Sequence, residues 1–268
     1  MSQSRPQSRE PVFRTLELIA NGLVRAQGLD LRFTGIQNIP ETGGAVLAVN
    51  HTGYVDFLPA AIGLYRAGRR ARFMIKSEVM DVAIMRFLVN HTKTVPVDRS
   101  EGAEAYRAAV DSLRSGEIVV VYPEATISRS FELKGFKTGA ARMAAEARVP
   151  IVPAIVWGAH RQWTKGGKRN MGRSKLPVAV RYGLPIAVDS AADPSAETAR
   201  LREVMKTMLL EVQDGYGTHP AGEFWVPERL GGSAPTIEEA ATIEAEEAER
   251  KAEARARKAA EKSRRGTS

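Results

Sequence analysis

Six short apolar runs, at residues 45–49, 71–75, 94–97, 118–122, 151–157 and 178–182, constrain the fold more than any other feature of the chain. Runs this short and this continuous suit strands buried on both faces. Between pairs of them, residues 77–89, 103–113 and 138–147 are built from good helix formers. The alternation predicts an α/β domain around a central mixed, largely parallel sheet flanked by helices. With 268 residues, 43% of them hydrophobic, the chain can bury one sizeable core.

Helical patterns flank this body. Over 11–27, Val12, Phe13, Leu16, Ile19, Ala20, Leu23 and Val24 recur at three and four, Pro11 suits a first turn, and Arg14 and Arg25 take the remaining surface. Such an amphipathic helix packs on its own domain or lies on an acidic membrane. A last core helix starts at Asp193-Pro194 and carries Leu201, Val204, Met205, Met208, Leu209 and Val212 on one stripe before Gly215. From Thr236 onward Ala, Glu, Lys and Arg dominate, which predicts a charged tail, a solvated helix or a disordered extension. The expected division is a polar N-terminus and amphipathic helix (1–30), a main domain (31–217), and a linker with the charged tail (218–268).

Charge narrows the partners. Lys and Arg number 39 against 31 Asp and Glu, a formal charge of +8. The tail carries eight of each sign, so the excess belongs to the body and draws it toward polyanions. Aromatic residues are 6% of the chain and do not interleave with the bases, which argues against nucleic acid. Without cysteine there is no thiolate nucleophile or disulfide, and four histidines give little material for a metal cage, so no metal is expected. No stretch of about 18 residues is free of charge, and residues 1–10 lack the apolar run of a secretory signal. The expected location is peripheral, on the cytoplasmic face of the cell membrane.

Three predicted strand ends carry chemistry. After 45–49 comes Asn50-His51-Thr-Gly-Tyr-Val-Asp56-Phe57, where Asp56 can hold the Nδ1 proton of His51 while Nε2 faces a cleft. That pair is a general base with an orienting partner. No serine elbow accompanies it, so the hydroxyl it would deprotonate is the substrate's. After 118–122 come Pro123, Glu124, Ala125 and Thr126, with Ser128, Arg129, Ser130, Lys134 and Lys137 close behind, a setting for a phosphorylated ligand. After 94–97 come Asp98 and Arg99. Of the other histidines, His91, His160 and His219 have no acid at useful spacing, and the basic run Arg66, Arg69, Arg70, Arg72 reads as a solvated face or as a membrane- or phosphate-facing surface.

Between about residues 31 and 216 the chain resembles the glycerolipid acyltransferases typified by 1-acylglycerol-3-phosphate acyltransferase. Asn50-His51…Asp56 is similar to that family's first block, Val97-Asp98-Arg99 to its second, Tyr122-Pro-Glu124-Ala-Thr126 to its third and Val149-Pro-Ile-Val-Pro153 to its fourth. Lys137-Thr-Gly139 falls where the family has a Lys-x-Gly helix start. The resemblance implies His51 as base, Asp56 as its partner, Arg99, Glu124, Thr126 and Lys137 as binders of a phosphorylated acceptor, and Pro153 within the acyl-donor region. It implies transfer of a fatty acyl group from acyl-CoA or acyl carrier protein, both substrates rather than cofactors, to 1-acylglycerol 3-phosphate. Glycerol 3-phosphate or another lipid hydroxyl is the alternative acceptor, because Ala125 and Ile127 stand where the family has glycine and arginine. From another class, a non-catalytic protein could use the basic body alone to bind membranes.

Overall fold

The computed structural model describes residues 11–76, 95–97 and 102–265. Among the described residues seven strands form one sheet in the order β1-β7-β6-β2-β5-β3-β4. They are β1 (Asp30–Thr34), β2 (Ala45–Val49), β3 (Ala71–Lys76), β4 (Val95–Val97), β5 (Ile118–Val121), β6 (Ile151–Trp157) and β7 (Pro177–Tyr182). Every pairing is parallel except β6 with β7, which is antiparallel. All six predicted strands are present, and β1 is an addition. The predicted helix at 77–89 lies outside the described residues.

Central strands β2, β5 and β6 are buried along their whole length, as expected of parallel strands covered on both faces. At the margin, β7 alternates, burying Val178, Val180 and Tyr182, and β1 exposes Asp30, Arg32 and Thr34. Helix α2 (Phe57–Arg66) packs on one face, where Ala60 and Leu64 join Leu47, Val49, Val120, Val156 and Tyr182 in a single apolar cluster. The fit is close: Tyr182 donates to Ala60 O at 2.8 Å, and a Cβ on Gly63 would come within 2.0 Å of the Tyr182 oxygen. Helices α3 (Gly102–Arg114), α4 (Gly139–Ala147) and α5 (Pro194–Asp214) cover the other face. Asp193 caps α5 through Ser195 N and Ala196 N, with Pro194 in the first turn. Its buried stripe is Leu201, Met205, Met208, Leu209 and Val212, while Val204, predicted to join it, is exposed.

Helix α1 (Pro11–Gln27) sends Phe13, Leu16, Ala20 and Val24 inward and leaves Leu18, Ile19 and Leu23 exposed. The basic run beneath it is not a solvated face. Arg70 and Arg72 lie over the Phe13 ring at 5.1 and 4.9 Å, Arg70 pairs with Glu17 and Arg72 with Glu117. Arg66 lies over Phe33. Buried Arg69 donates to the carbonyls of Pro40, Gly43 and Gly116, and burial lowers its pKa. Flat guanidinium groups pack on rings and fan across carbonyls, so these cations hold loops together.

Residues Met1–Ile127 and Gly135–Thr218 form one compact unit; Ser128–Lys134 and His219–Ser268 form a second. In the second, helix α6 (Ile237–Arg265) begins with a reciprocal cap, Glu239 N to Thr236 Oγ1 and Thr236 N to Glu239 Oε2. Glu244 and Glu247 on its first turns pair with Lys134 and Arg129, and Glu132 pairs with Arg229. The acidic half of the tail is therefore engaged rather than simply solvated. Among the described residues no helix is long and apolar enough to cross a membrane.

Candidate active site

Strands β2, β5 and β6 run in one direction, so their C-terminal ends share an edge of the sheet, where α/β sites form. Register brings two segments together there. Ala48 pairs with Val121, which sets His51 beside Tyr122 across the gap between β2 and β5. The His51 imidazole lies on the Tyr122 ring, centroids 4.2 Å apart and planes 27° from parallel. On the other side, Asn50 acts as an extra rung of the ladder: its amide donates to Val156 O at 3.1 Å and accepts from Val156 N at 2.7 Å.

Asp56, at the start of α2, is fully buried. Its Oδ2 accepts from Thr52 N and Gly53 N, each at 2.7 Å, and stands 3.3 Å from His51 Nδ1. One oxygen thus fixes the loop backbone and faces the ring nitrogen, which leaves Nε2 as the nitrogen free for proton transfer. Burial raises the Asp56 pKa, against the lowering pull of His51 and the two backbone donors. Gly53 is required by close approach, since a Cβ there would come within 2.8 Å of His160 Cα and 3.2 Å of Asp56 Oδ1. Behind the loop, His160 is buried with Nδ1 3.4 Å from Thr52 Oγ1 and its ring edge against Trp157.

Buried Glu124 reaches back to the base: its Oε1 accepts from His51 N at 2.7 Å. It fills the backbone-acceptor role open to acids at sharp turns. Ala125 has φ +62°, the left-handed region that glycine favours, so the chain follows a glycine-like path without glycine. Thr126 N donates to Glu124 O, and Lys137 N to Pro123 O, which brings the lead-in to α4 against the same turn. The Lys137 side chain is exposed. Arg129 and Lys134, read as part of one cationic cluster, are held by Glu247 and Glu244 in the second unit. Ile127 is buried. Burial, with the nearby Asp56 charge, pushes the Tyr122 phenol well above its ordinary range, so it stays neutral.

His51, Asp56 and Glu124 are thus in contact, with Thr126 and Lys137 on the adjoining turn. Arg99 and His91 lie outside the described residues. Pro153 is buried inside β6, opposite Ala48, and its carbonyl accepts from Gly183 N. Sequence spacing did not reveal the Tyr122 stack, the Asn50 rung or the Gly53 approach, all of which join parts distant in sequence or backbone atoms. No group of three or more His, Asp or Glu suited to a metal ion occurs among the described residues.

Residues 30–157, which include His51, Asp56, Tyr122, Glu124, Thr126 and Lys137, match the Acyltransferase family. Over this segment, just under half of the chain, the sequence is that of an acyltransferase. It is 27% identical over 180 residues to a 1-acyl-sn-glycerol-3-phosphate acyltransferase of Bacillus subtilis, covering 66% of this chain and 85% of that one. It is 26% identical over 176 residues to the Limnanthes douglasii protein of the same name, covering 64% of this chain and 60% of the relative. The crystal structure of the 1-acyl-sn-glycerophosphate acyltransferase from Thermotoga maritima shares the fold, with a TM-score of 0.67 at 20% identity over 81% of this chain and 86% of that one.

Proposed function

We propose that this acyltransferase moves a fatty acyl group from an acyl thioester, acyl-CoA or acyl carrier protein, to the free hydroxyl of 1-acylglycerol 3-phosphate. The observation that carries this reading is the His51–Asp56 pair at the sheet edge, held from behind by Glu124 and Tyr122. His51 Nε2 takes the hydroxyl proton as the oxygen attacks the thioester carbonyl. The C–O bond forms, the C–S bond breaks, and the proton passes to the departing thiolate, leaving an ester and a free thiol. Asp56 stabilises the transient imidazolium and fixes the tautomer. The reaction needs no acyl-enzyme and no cofactor. Arg99, Thr126 and Lys137 are proposed to hold the acceptor phosphate, which lowers the entropy cost of its approach, while Glu124 positions His51.

Because Ile127 supplies no cation where the family has arginine, glycerol 3-phosphate is the second acceptor to test. The outer face of α1, with exposed Leu18, Ile19 and Leu23 beside Arg14 and Arg25, supports peripheral contact with an anionic membrane at its cytoplasmic face. Thiol release from palmitoyl-CoA, read with a thiol-reactive dye, tests the activity without background from this cysteine-free chain. Release that depends on 1-acylglycerol 3-phosphate and is lost in His51→Ala supports the reading; equal release in the variant overturns it.

A further inference from the structure

The connection between β6 and β7, residues 158–176, leaves the sheet at the catalytic edge and contains no acid. It carries Arg161, Lys165, Lys168, Arg169, Arg173 and Lys175. It is also bolted to the loop that bears His51. Tyr54 N donates to Trp163 O at 2.9 Å, Thr164 Oγ1 donates to Thr52 O at 2.6 Å, and Gly53 lets the two backbones touch. On this junction the Tyr54 and Trp163 rings lie 4.7 Å apart with planes at 40°, and the Arg169 guanidinium sits 4.8 Å from the Trp163 centroid. Tyr54 is 43% exposed. Two of the six bases serve the fold, since Arg161 donates to the Tyr216 hydroxyl and Lys165 to Ile127 O. Lys168, Arg169, Arg173 and Lys175 are exposed.

We propose that this loop binds the nucleotide end of a coenzyme A thioester. The base packs against the Tyr54–Trp163–Arg169 cluster, and the phosphates lie against Lys168, Arg173 and Lys175. Two independent features select this ligand. A cluster of two aromatic rings and a guanidinium beside the catalytic loop offers faces to a flat ring, and base–aromatic stacking tolerates any base. Four exposed cations without a neighbouring acid in the loop suit several phosphates rather than one. The glycerophosphate acceptor offers a single phosphate and no ring. A carrier protein's acidic surface would engage the cations and leave the aromatic cluster without purpose. This inference rests on the proposed use of a thioester donor.

The test pairs a binding measurement with a kinetic one, on the full chain. Adenosine 3′,5′-bisphosphate, the nucleotide without its pantetheine arm, is titrated by calorimetry into wild type and into the doubly charge-reversed Lys168→Glu/Arg169→Glu protein, whose substitutions lie on the surface. The expected result is binding by wild type that weakens at least tenfold in the variant. The ratio of kcat/KM for palmitoyl-CoA over S-palmitoyl-pantetheine should fall by the same factor. Equal nucleotide binding by both proteins, or an unchanged donor ratio, overturns the proposal. So does a variant that loses turnover only with an acyl carrier protein donor, which would reassign the loop to a protein partner. Nucleotide binding that needs the loop, in a protein that transfers no acyl group to any acceptor, would keep this site and reject the acyltransferase reaction.

Discussion

Replacing Ala125 with glycine should make the protein more stable. Ala125 sits at φ +62°, where an L-residue's Cβ crowds its own carbonyl at a cost of about 1–2 kcal/mol. Glycine removes that crowding but adds freedom to the unfolded chain, which offsets roughly 0.4–1 kcal/mol. The methyl group is exposed, so no packing is lost with it. The balance is a gain of about 0.5–1 kcal/mol, from the difference of those two effects. At roughly 2–4 °C per kcal/mol for a chain near this size, Tm should rise by about 1–4 °C. Urea unfolding should show a higher midpoint with an unchanged slope. Turnover should stay within about twofold, because the turn already follows the glycine path and the Glu124 contact to His51 is left in place. A glycine variant that is less stable than wild type would refute the strained-turn account. A large change in acceptor preference would show that the missing methyl matters to substrate rather than to backbone.

Other perturbations probe the base and its supports. Asp56→Asn should lower kcat by about 10²- to 10⁴-fold at pH 7, as expected when an imidazole loses its orienting carboxylate. Because burial raises the Asp56 pKa, its contribution to stability is full below the unfolded-state value and is lost as pH rises through the native one. The stability of wild type minus that of Asp56→Asn should therefore grow as pH falls from 7 toward the ordinary carboxylate range; a decrease, measured by denaturant titration, would contradict the burial argument. Glu124→Ala strips the acceptor from His51 N and should cost about 1–3 kcal/mol, whereas Glu124→Gln keeps an oxygen there and should recover most of it. Tyr122→Phe should retain kcat, and Tyr122→Leu should lower it with little effect on acceptor KM, since only the leucine abolishes the stack on His51.

The buried parallel strands were legible because central strands are continuous apolar runs, and the helix at 194–214 because its cap and first-turn proline are local signals. Strand β1 was missed for the opposite reason. It lies at the sheet margin with Asp30, Arg32 and Thr34 outward, leaving only Leu31 and Phe33 as an apolar pattern. The basic run from Arg66 to Arg72 was misread because its partners, among them Phe13, Glu17, Phe33 and Glu117, come from other elements. Arg129 was assigned to the phosphate cluster for the same reason, since Glu247 is 118 residues away in sequence. At the site, His51 and Asp56 lie five residues apart and their partnership is local. Glu124 and Tyr122 meet His51 only because β2 and β5 are neighbours in the sheet, and strand order is not written in spacing.

The antiparallel pairing of β7 with β6 reverses the polarity of one flank of the sheet. Since β7 opposes β6 and β1 runs with β7, the chain enters β1 from the same side on which β2 and β5 deliver the catalytic groups. The end of α1 is therefore moored at the working rim: Gln27 Nε2 donates to Met171 O, and its Oε1 accepts from Gln162 Nε2. Trimming the protein back to Asp30 would leave every strand intact yet untie the loop that backs His51. In this architecture residues 11–27 are part of the catalytic rim's foundation, and versions shortened past them should be judged by turnover as well as by solubility.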